Sequence, residues 1–494
     1  MCSSSERGAG KVEDVASATS AGRKAGGVAH LSKAQRRLII ATRWCFGVLF
    51  TLNFAVFWAL PIGIQGQAWK LGMSKVLRPL FDAVDSWQPL RRFAHAVIYS
   101  KEVHTDYFVQ ALLVAASSIS MMYLLFYWQL THGSLPLWLI MAYNFAWVGF
   151  GGRGMGAAYT YAHQEGHRRG GKMYRPWIGN NVGNIWENWM GLLFGTVPYN
   201  FTTSHIFLHH RLNAGKGDPF YMWDVDRSSV SDFFLYAHRI FVYMTGYSSL
   251  VVFAEMMQTN KTARENYYLL RRGMFVFWLV LPTAVLTFLI SHGSSVSSAL
   301  TFYLFAFLEP MCCMAFFLAF INVSFHGFIE FDSEGRHIGC INSDAIIDGE
   351  DDSYGEDDHM AHHYYTAVSH RDLKAHQVTQ KQEWIKHHAS VFQNISIVEV
   401  SVFMLFNLWD KLSEHYVDYS GTLSKKQIAD MLKTRAQRKE MSYEEYEFDF
   451  LPTIRERAEA LVAKGTCVSV EQALKEMAHT NHPVHEASAS KKTM

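Results

Sequence analysis

The chain has 494 residues, of which 49% are apolar and only 18% are charged, and its formal net charge is +1. Soluble domains carry about 25% charged residues, so this composition indicates a membrane protein. The balanced charge gives no support for a nucleic-acid partner. The six cysteines are scattered without CxxC spacing, which excludes a disulfide framework and a zinc–thiolate site. The 24 histidines, by contrast, are numerous and clustered.

The chain divides into three predicted regions. Residues 1–37 contain no apolar stretch of the kind that a cleaved signal peptide needs, so we expect a disordered tail. Residues 38–420 are predicted to be a membrane-embedded domain. Residues 421–494 are predicted to be a cytosolic helical tail, and its last residues, Lys491-Lys492-Thr493-Met494, are similar to the dilysine signal for retrieval to the endoplasmic reticulum.

Five apolar stretches, uncharged except for one glutamate in the last of them, are long enough to be membrane-spanning helices. They cover residues 44–64, 107–130, 136–152, 273–291 and 299–321. The last four form two hairpins whose turns lack Lys and Arg, so the positive-inside rule places the histidine-rich segments on the cytoplasmic side. For 44–64, crossing, re-entry and lying flat all stay open. Residues 233–258, which contain charged side chains, are predicted to lie in the membrane interface, with a true crossing as the alternative.

Histidines recur in four short runs, which we call the boxes. They occupy residues 163–167, 205–210, 322–326 and 359–363. Residues four apart on an α-helix share a face, so we expect His163 to act with His167, and His205 with His209. His210 is about 100° further round the helix and is expected to reach a second metal. The same logic applies to the last box, so the boxes offer ligands in two directions, as a two-metal site requires.

The predicted fold is all-α. It is a polytopic membrane protein in which a cytosolic helical cap, carrying the histidine boxes, covers transmembrane helical hairpins. The candidate ligands are all imidazoles, which suit iron, zinc, copper or nickel, so the ligand set alone does not choose the metal. Glu309 lies inside the stretch 299–321, where a carboxylate is costly. It either lines a path for substrate or faces a neighbouring helix, and we favour the second.

The order HxxxH, HxxxHH, NxxxH, HxxHH resembles the membrane-bound fatty acid desaturase and hydroxylase superfamily, over roughly residues 100–410. The second-box spacing and the Gly217-Asp218-Pro219 that follows it are similar to membrane-bound alkane monooxygenases, as are Asn322…His326-Gly327 and Glu334-Gly335-Arg336. The first box, His-Gln-Glu-Gly-His, departs from that family. So does the last box, which follows Glu356-Asp357-Asp358 instead of Leu-Gln-Arg. These departures leave the subfamily and the substrate open.

The resemblance implies a pair of iron ions with nine histidine ligands. These are His163, His167, His205, His209, His210, His326, His359, His362 and His363. It also implies a role for Asn322, whose counterpart in the desaturases meets an iron through water. Asp218, Asp357 and Asp358 are further candidates, because carboxylates near the boxes can orient ligand imidazoles. The alternative for the aspartates is a solvated loop.

The implied activity is an O2-dependent oxidation of an unactivated C–H position in a lipid acyl or alkyl chain. Desaturation and hydroxylation both stay open. Electrons would come from a separate haem or iron–sulfur carrier, because the chain has no haem-carrier motif, flavin fingerprint or cysteine cluster. The implied location is the endoplasmic reticulum membrane, with the boxes and the C-terminus in the cytosol. Two other classes are a histidine-rich metal transporter and a non-catalytic membrane adaptor.

Overall fold

The computed structural model describes residues 31–106, 108–149, 153–215, 217–257, 261–333, 337–349, 355–366, 368–449, 462, 463 and 469. Of the disordered tail predicted over residues 1–37, residues 1–30 lie outside these ranges, whereas residues 33–37 are helical. Glu334-Gly335-Arg336 and the dilysine sequence also lie outside the described ranges. The described residues are mostly helical, as predicted. Two short strands, β1 (Ala345–Ile347) and β2 (Val391–Gln393), pair in parallel.

Ten helices are used in the description below. They are α1 (Lys33–Met73), α2 (Phe108–His132), α3 (Leu137–Val148), α4 (Arg153–Arg168), α5 (Val230–Met244), α6 (Tyr247–Met256), α7 (Lys261–Ser291), α8 (Val296–His326), α9 (His359–Tyr364) and α10 (Lys425–Gln437). Shorter helices cover Ser74–Asp85, Gln88–Val97, Glu102–Thr105, Pro176–Gly179, Trp186–Met190, Gly191–Leu193, Phe201–His209, His210–Leu212, Gly339–Asn342, Glu356–Asp358, His370–Asp372, Leu373–Val378, Lys381–His387, Ile397–Leu405, Trp409–His415 and Glu445–Asp449.

Four of the described helices, α1, α2, α7 and α8, are long and apolar enough to cross a membrane. They contain four of the five predicted stretches. Helix α1 begins with a capping box between Ser32 and Gln35 and runs for 41 residues, about 60 Å at the α-helical rise. It therefore exceeds the roughly 30 Å hydrocarbon core of a bilayer. Leu49, Leu52 and Val56 are exposed along it, as expected for side chains that meet lipid.

Three of these long helices contain a π turn that ends shortly before a proline. The π turns cover Ala55–Ala59, Val276–Val280 and Leu304–Leu308, and the prolines are Pro61, Pro282 and Pro310. Proline has no N–H to donate, and its ring clashes with the carbonyl of the preceding turn of an α-helix. A π turn widens the helix at that point, so each helix continues through its proline.

The remaining predicted stretch, 136–152, forms a helix that is shorter than the apolar stretch in the sequence. Helix α3 ends at Val148, and Gly149 follows with a positive φ of 66°. Twelve residues rise about 18 Å, which is too short to cross the hydrocarbon core alone. Helix α4, which carries the first box, begins at Arg153.

The predicted interfacial stretch, 233–258, consists of two helices rather than one. Gly246, with a φ of 82°, separates α5 from α6, and neither helix is long enough to cross a bilayer. Helix α5 packs against α1 and α8. The approach to α1 is very close, because a Cβ atom on Gly47 would lie 1.9 Å from the carbonyl oxygen of Phe234.

Glu309 is buried among helices. Its Oε1 atom accepts a hydrogen bond from Cys313, which lies one turn further along α8, and Asn53 of α1 lies 3.1 Å from the Cys313 sulfur. These contacts favour the helix-facing alternative over a side chain that lines a path for substrate.

The described part of the predicted C-terminal tail packs on the membrane-embedded domain. Arg435 of α10 pairs with Glu330. The buried guanidinium of Arg227 donates to the backbone oxygen of Arg435 at 2.7 Å. Further on, Glu447 pairs with the buried Arg239 at 2.7 Å. Residues 425–449 are therefore bonded to the rest of the structure by buried hydrogen bonds and ion pairs.

Candidate metal centre

The nine histidines proposed as ligands come together in two groups. The five-histidine cluster contains His163, His167, His205, His210 and His362, and the four-histidine cluster contains His209, His326, His359 and His363. Within each cluster the potential ligand atoms lie within 4.8 Å of one another. Eight of the nine side chains are buried, and His167 is partly exposed. Helix α8, a candidate membrane span, ends at His326, so the four-histidine cluster lies at the end of that span.

The spacing of the imidazole nitrogens fits a bound metal. The Nε2 atom of His163 lies 2.9 Å from Nε2 of His205 and 3.1 Å from Nε2 of His362, and the Nε2 atoms of His326 and His359 are 3.0 Å apart. Two nitrogens bound at about 2.1 Å to one metal, with bonds at right angles, are about 3 Å apart. The chain therefore supplies two donor sets with the right spacing for metal ions.

Several buried ring nitrogens support the same conclusion. Both nitrogens of His210 and both nitrogens of His363 lack a hydrogen-bond partner among the described residues. Burying a polar atom without a partner is costly, and native proteins do so rarely. A metal ion in each cluster would satisfy one nitrogen of each ring. The residues present thus fit a bound metal pair.

The two clusters are neighbours. The ring centroids of His210 and His363, which belong to different clusters, are 4.6 Å apart. Those of His205 and His209 are 5.0 Å apart. Two metal ions held by these rings would therefore lie side by side in one centre.

The second box does not divide as the sequence pattern predicted. We expected His205 and His209 to act together, but His205 shares its cluster with His210, and His209 belongs to the other cluster. The reason is the local backbone, because Phe201–His209 is a π-helix and the N–H of His210 donates to the carbonyl of His205. A π turn brings residues five apart onto one face, whereas an α turn does so for residues four apart.

The last box divides as an α-helix should. His359 and His363, four residues apart on α9, both belong to the four-histidine cluster. His362 is one position before His363, about 100° round the helix, and belongs to the five-histidine cluster.

Asp218 orients a ligand from the second box. Its Oδ2 atom lies 2.8 Å from Nδ1 of His209 and accepts a hydrogen bond from the backbone N–H of Ala214. Its Oδ1 atom accepts from the backbone N–H of Phe220. A carboxylate at Nδ1 fixes the ring so that Nε2 faces the metal. His326 is held in the same way, by the backbone carbonyl of Asn342 at 2.9 Å from its Nδ1 atom.

Sequence reasoning missed Glu356, whose Oε1 atom lies 2.7 Å from Nδ1 of His163. It had selected the next two residues, Asp357 and Asp358, which are buried beside it, and Asp358 accepts a hydrogen bond from Gln377. The signal was present in the acidic sequence before the last box, but the sequence does not show which of three neighbours reaches the first box. Asn322 is buried one turn before His326, and its amide nitrogen has no hydrogen-bond partner among the described residues.

Two residues between the histidines of the first box have structural roles, and one of them, Glu165, departs from the His-Glu-Leu-x-His of the resembled family. Glu165 is buried and accepts hydrogen bonds from the backbone N–H groups of Ile185 and Glu187. Gly166 faces the helix Phe201–His209, which we call the second-box helix. A Cβ atom added to Gly166 would lie 3.0 Å from the Cβ of Phe201. Glycine therefore permits α4 to approach the second-box helix closely enough for the two boxes to share a cluster.

Burial and the neighbouring imidazoles lower the pKa of most of the ligand rings. The residues concerned are His167, His205, His210, His359, His362 and His363. A charged imidazole loses its hydration when buried, so the neutral form is favoured. Neutral imidazole is the form that binds metal.

Comparison of the chain with family models, with curated proteins and with solved structures gave no significant match. Function is therefore inferred from the order of the boxes and from the geometry of the two clusters.

Proposed function

We propose that the protein is a di-iron membrane oxidoreductase that uses O2 to desaturate or hydroxylate an unactivated C–H position of a lipid acyl or alkyl chain. The observation that carries the proposal is the gathering of nine histidines from four distant boxes into two adjoining clusters. The box order resembles the desaturase and hydroxylase superfamily, which is the reason for choosing iron among the metals that imidazole binds.

When bound, the two iron ions would supply the activation of O2. The chain itself holds and orients the ligands. His163 is fixed by Glu356 and His209 by Asp218, so each cluster has at least one ring whose direction is set by a carboxylate. Burial of the rings keeps bulk water away from the centre, which suits a reaction at an apolar C–H bond.

The long apolar helices support a lipid substrate. Helix α8 is a candidate membrane span, and its last turns carry Asn322 and His326. An alkyl chain in the bilayer could thus approach the centre along the same helix that supplies a ligand. Whether a double bond or an alcohol results depends on sub-ångström placement of that chain, and both products belong to the proposal.

The reaction needs an external electron carrier. Desaturation and hydroxylation each consume one O2 and two electrons beyond those taken from the substrate, with two protons. His167 is the partly exposed ligand, and Arg168 and Arg169 follow it in the chain. The five-histidine cluster is thus partly exposed at His167, beside two positive charges, which supports delivery by a separate haem or iron–sulfur protein.

The proposed orientation in the membrane places the boxes on the cytosolic side. The support is the positive-inside rule applied to the turns 131–135 and 292–295, which contain no Lys or Arg.

A paired metal and lipid assay tests the proposal. Membranes from a host that expresses the chain would be compared for wild type, His209→Ala and His132→Ala, an exposed histidine outside both clusters. We expect about two irons per wild-type chain and a new double bond or hydroxyl group that disappears in His209→Ala and persists in His132→Ala. Zinc or no metal, with an unchanged lipid profile, would contradict the proposal and favour the transporter or the adaptor.

A further inference from the structure

A buried carboxylate sits at the start of the second-box helix. Glu187, which is fully buried, belongs to the π turn Trp186–Met190. Its Oε1 atom accepts from the backbone N–H of Thr202 at 2.7 Å, and its Oε2 atom accepts from the Thr202 hydroxyl at 2.6 Å and from Nδ2 of Asn184 at 2.7 Å. Thr202 is the second residue of the helix Phe201–His209. The first N–H groups of a helix have no partner within the helix and attract negative charge.

The same carboxylate is tied to the first box. The backbone N–H of Glu187 donates to Oε2 of Glu165 at 2.8 Å, and Glu165 lies between His163 and His167 on α4. Tyr174 also donates to Glu165. A continuous chain of buried hydrogen bonds thus runs from the first box, through Glu187, to the first turn of the second box.

The other end of the second-box helix is fixed independently. His209 is bonded to Asp218, and its carbonyl accepts from the N–H of Asn213 at 2.6 Å. Between these two fixed ends the chain makes a π turn, in which the N–H of His210 reaches the carbonyl of His205. A π turn contains one more residue than an α turn and is rare without support from its surroundings.

We propose that Glu187 is a positioning residue that holds the second-box helix in its π register and thereby decides which cluster receives His209 and which receives His210. If the start of the helix is released, the segment can relax to the α register. His205 and His209 then share a face, and His210 turns away. In the fraction of molecules that relaxes, both clusters lose a correctly placed ligand. The inference concerns the division of histidines between two metal ions, so it does not depend on the reaction proposed above.

The test is a metal titration of the full-length chain in detergent after removal of metal, with Co(II) as the probe and its visible absorption as the signal. Wild type should bind two equivalents. Glu187→Gln keeps the size of the side chain but places an NH2 group against donors. We expect Co(II) binding to weaken 10–100-fold and the spectrum of the loaded protein to change, because the ligand set at each ion has changed.

Two further variants separate positioning from general stability. Glu309→Gln alters another buried carboxylate, which lies 17 residues before His326 on α8, and should keep two equivalents with the wild-type spectrum. Thr202→Val removes the hydroxyl, which donates to Glu187 and accepts from Nδ2 of Asn184, and it leaves the backbone N–H to Glu187, so it should weaken Co(II) binding severalfold. If Glu187→Gln does not fold, Co(II) binding by Thr202→Val tests the inference instead.

Three results would overturn the inference. The first is wild-type Co(II) affinity and spectrum in Glu187→Gln, or in Thr202→Val where only that variant folds. The second is an equal loss of Co(II) binding in Glu309→Gln, which would mean that any lost buried carboxylate has this effect. The third is a wild-type chain that binds fewer than two Co(II) ions.

Discussion

The second and the last boxes divide their histidines between the two clusters in the same way, but on different types of helix. Each contains three histidines that end in an adjacent pair, and in each the first and third histidines enter one cluster while the middle one enters the other. The outer histidines are five residues apart in the second box and four apart in the last, and the backbone is a π-helix in the first case and an α-helix in the second. The π-helix therefore accommodates the additional residue of the second box, and its histidines divide between the clusters as those of the last box do.

The middle histidines provide the largest expected effect, because they serve opposite clusters. His209→Ala leaves three imidazoles in the four-histidine cluster, whereas His362→Ala leaves four in the five-histidine cluster. We expect His209→Ala to release one of two metal ions, with an affinity loss beyond the 10–100-fold typical of losing an outer partner. His362→Ala should be milder. Metal content and the number of nitrogen neighbours by X-ray absorption measure both. Equal losses would mean that the two clusters do not differ as described.

The carboxylates that orient ligands should give a smaller effect. Asp218 is fully buried and bonded by two backbone N–H groups, whereas the Glu356 side chain is 17% exposed and faces His163. We expect Asp218→Asn to weaken metal binding about 10–100-fold and Glu356→Gln to weaken it less, since water can replace a partly exposed partner. Competition with a chelator would rank the two, and the reverse order would contradict the structural account.

Local pattern was enough to find the histidines that gather in the two clusters but not to divide them between the clusters. The nine histidines stand out because their spacing is a short-range property of the chain. The helix that makes the π turn at His205 starts at Thr202's contacts with Glu187 and Asn184, and these two residues lie outside the box. An α-helical periodicity therefore gave the wrong partner for His205. Glu356 was missed for a related reason, since it is 193 residues from His163 in sequence.

Composition likewise located the long apolar helices, because a span is defined by its own length and hydropathy. It did not locate the contacts that tie distant segments to them. Residues 425–449 look polar and separate in the sequence, yet Arg227 and Arg239, which sit far earlier in the chain, bind them through buried hydrogen bonds and ion pairs. Helix α3 ends at Val148 because the backbone of Gly149 has a positive φ, and an uninterrupted apolar stretch in the sequence does not reveal this change of conformation.

The smallest expected effect comes from shortening the second box to the spacing of the last. Ile206 is the less buried of the apolar residues inside the box, whereas Phe207 and Leu208 are buried in the core. Deleting Ile206 brings His205 and His210 to a separation of four, with His209 at three. An α turn would then send the outer pair to one cluster and the middle histidine to the other, as in the last box. We expect two Co(II) ions to bind with an affinity within about threefold of wild type, since each ligand keeps its metal. In the last box, His359 and His363 are already four residues apart on an α-helix. Deleting Met360 between them should therefore abolish Co(II) binding at one cluster or both. Loss of either metal on deletion of Ile206, measured in the same titration, would show that the π turn is required for the ligand arrangement and not merely an accommodation of one additional residue.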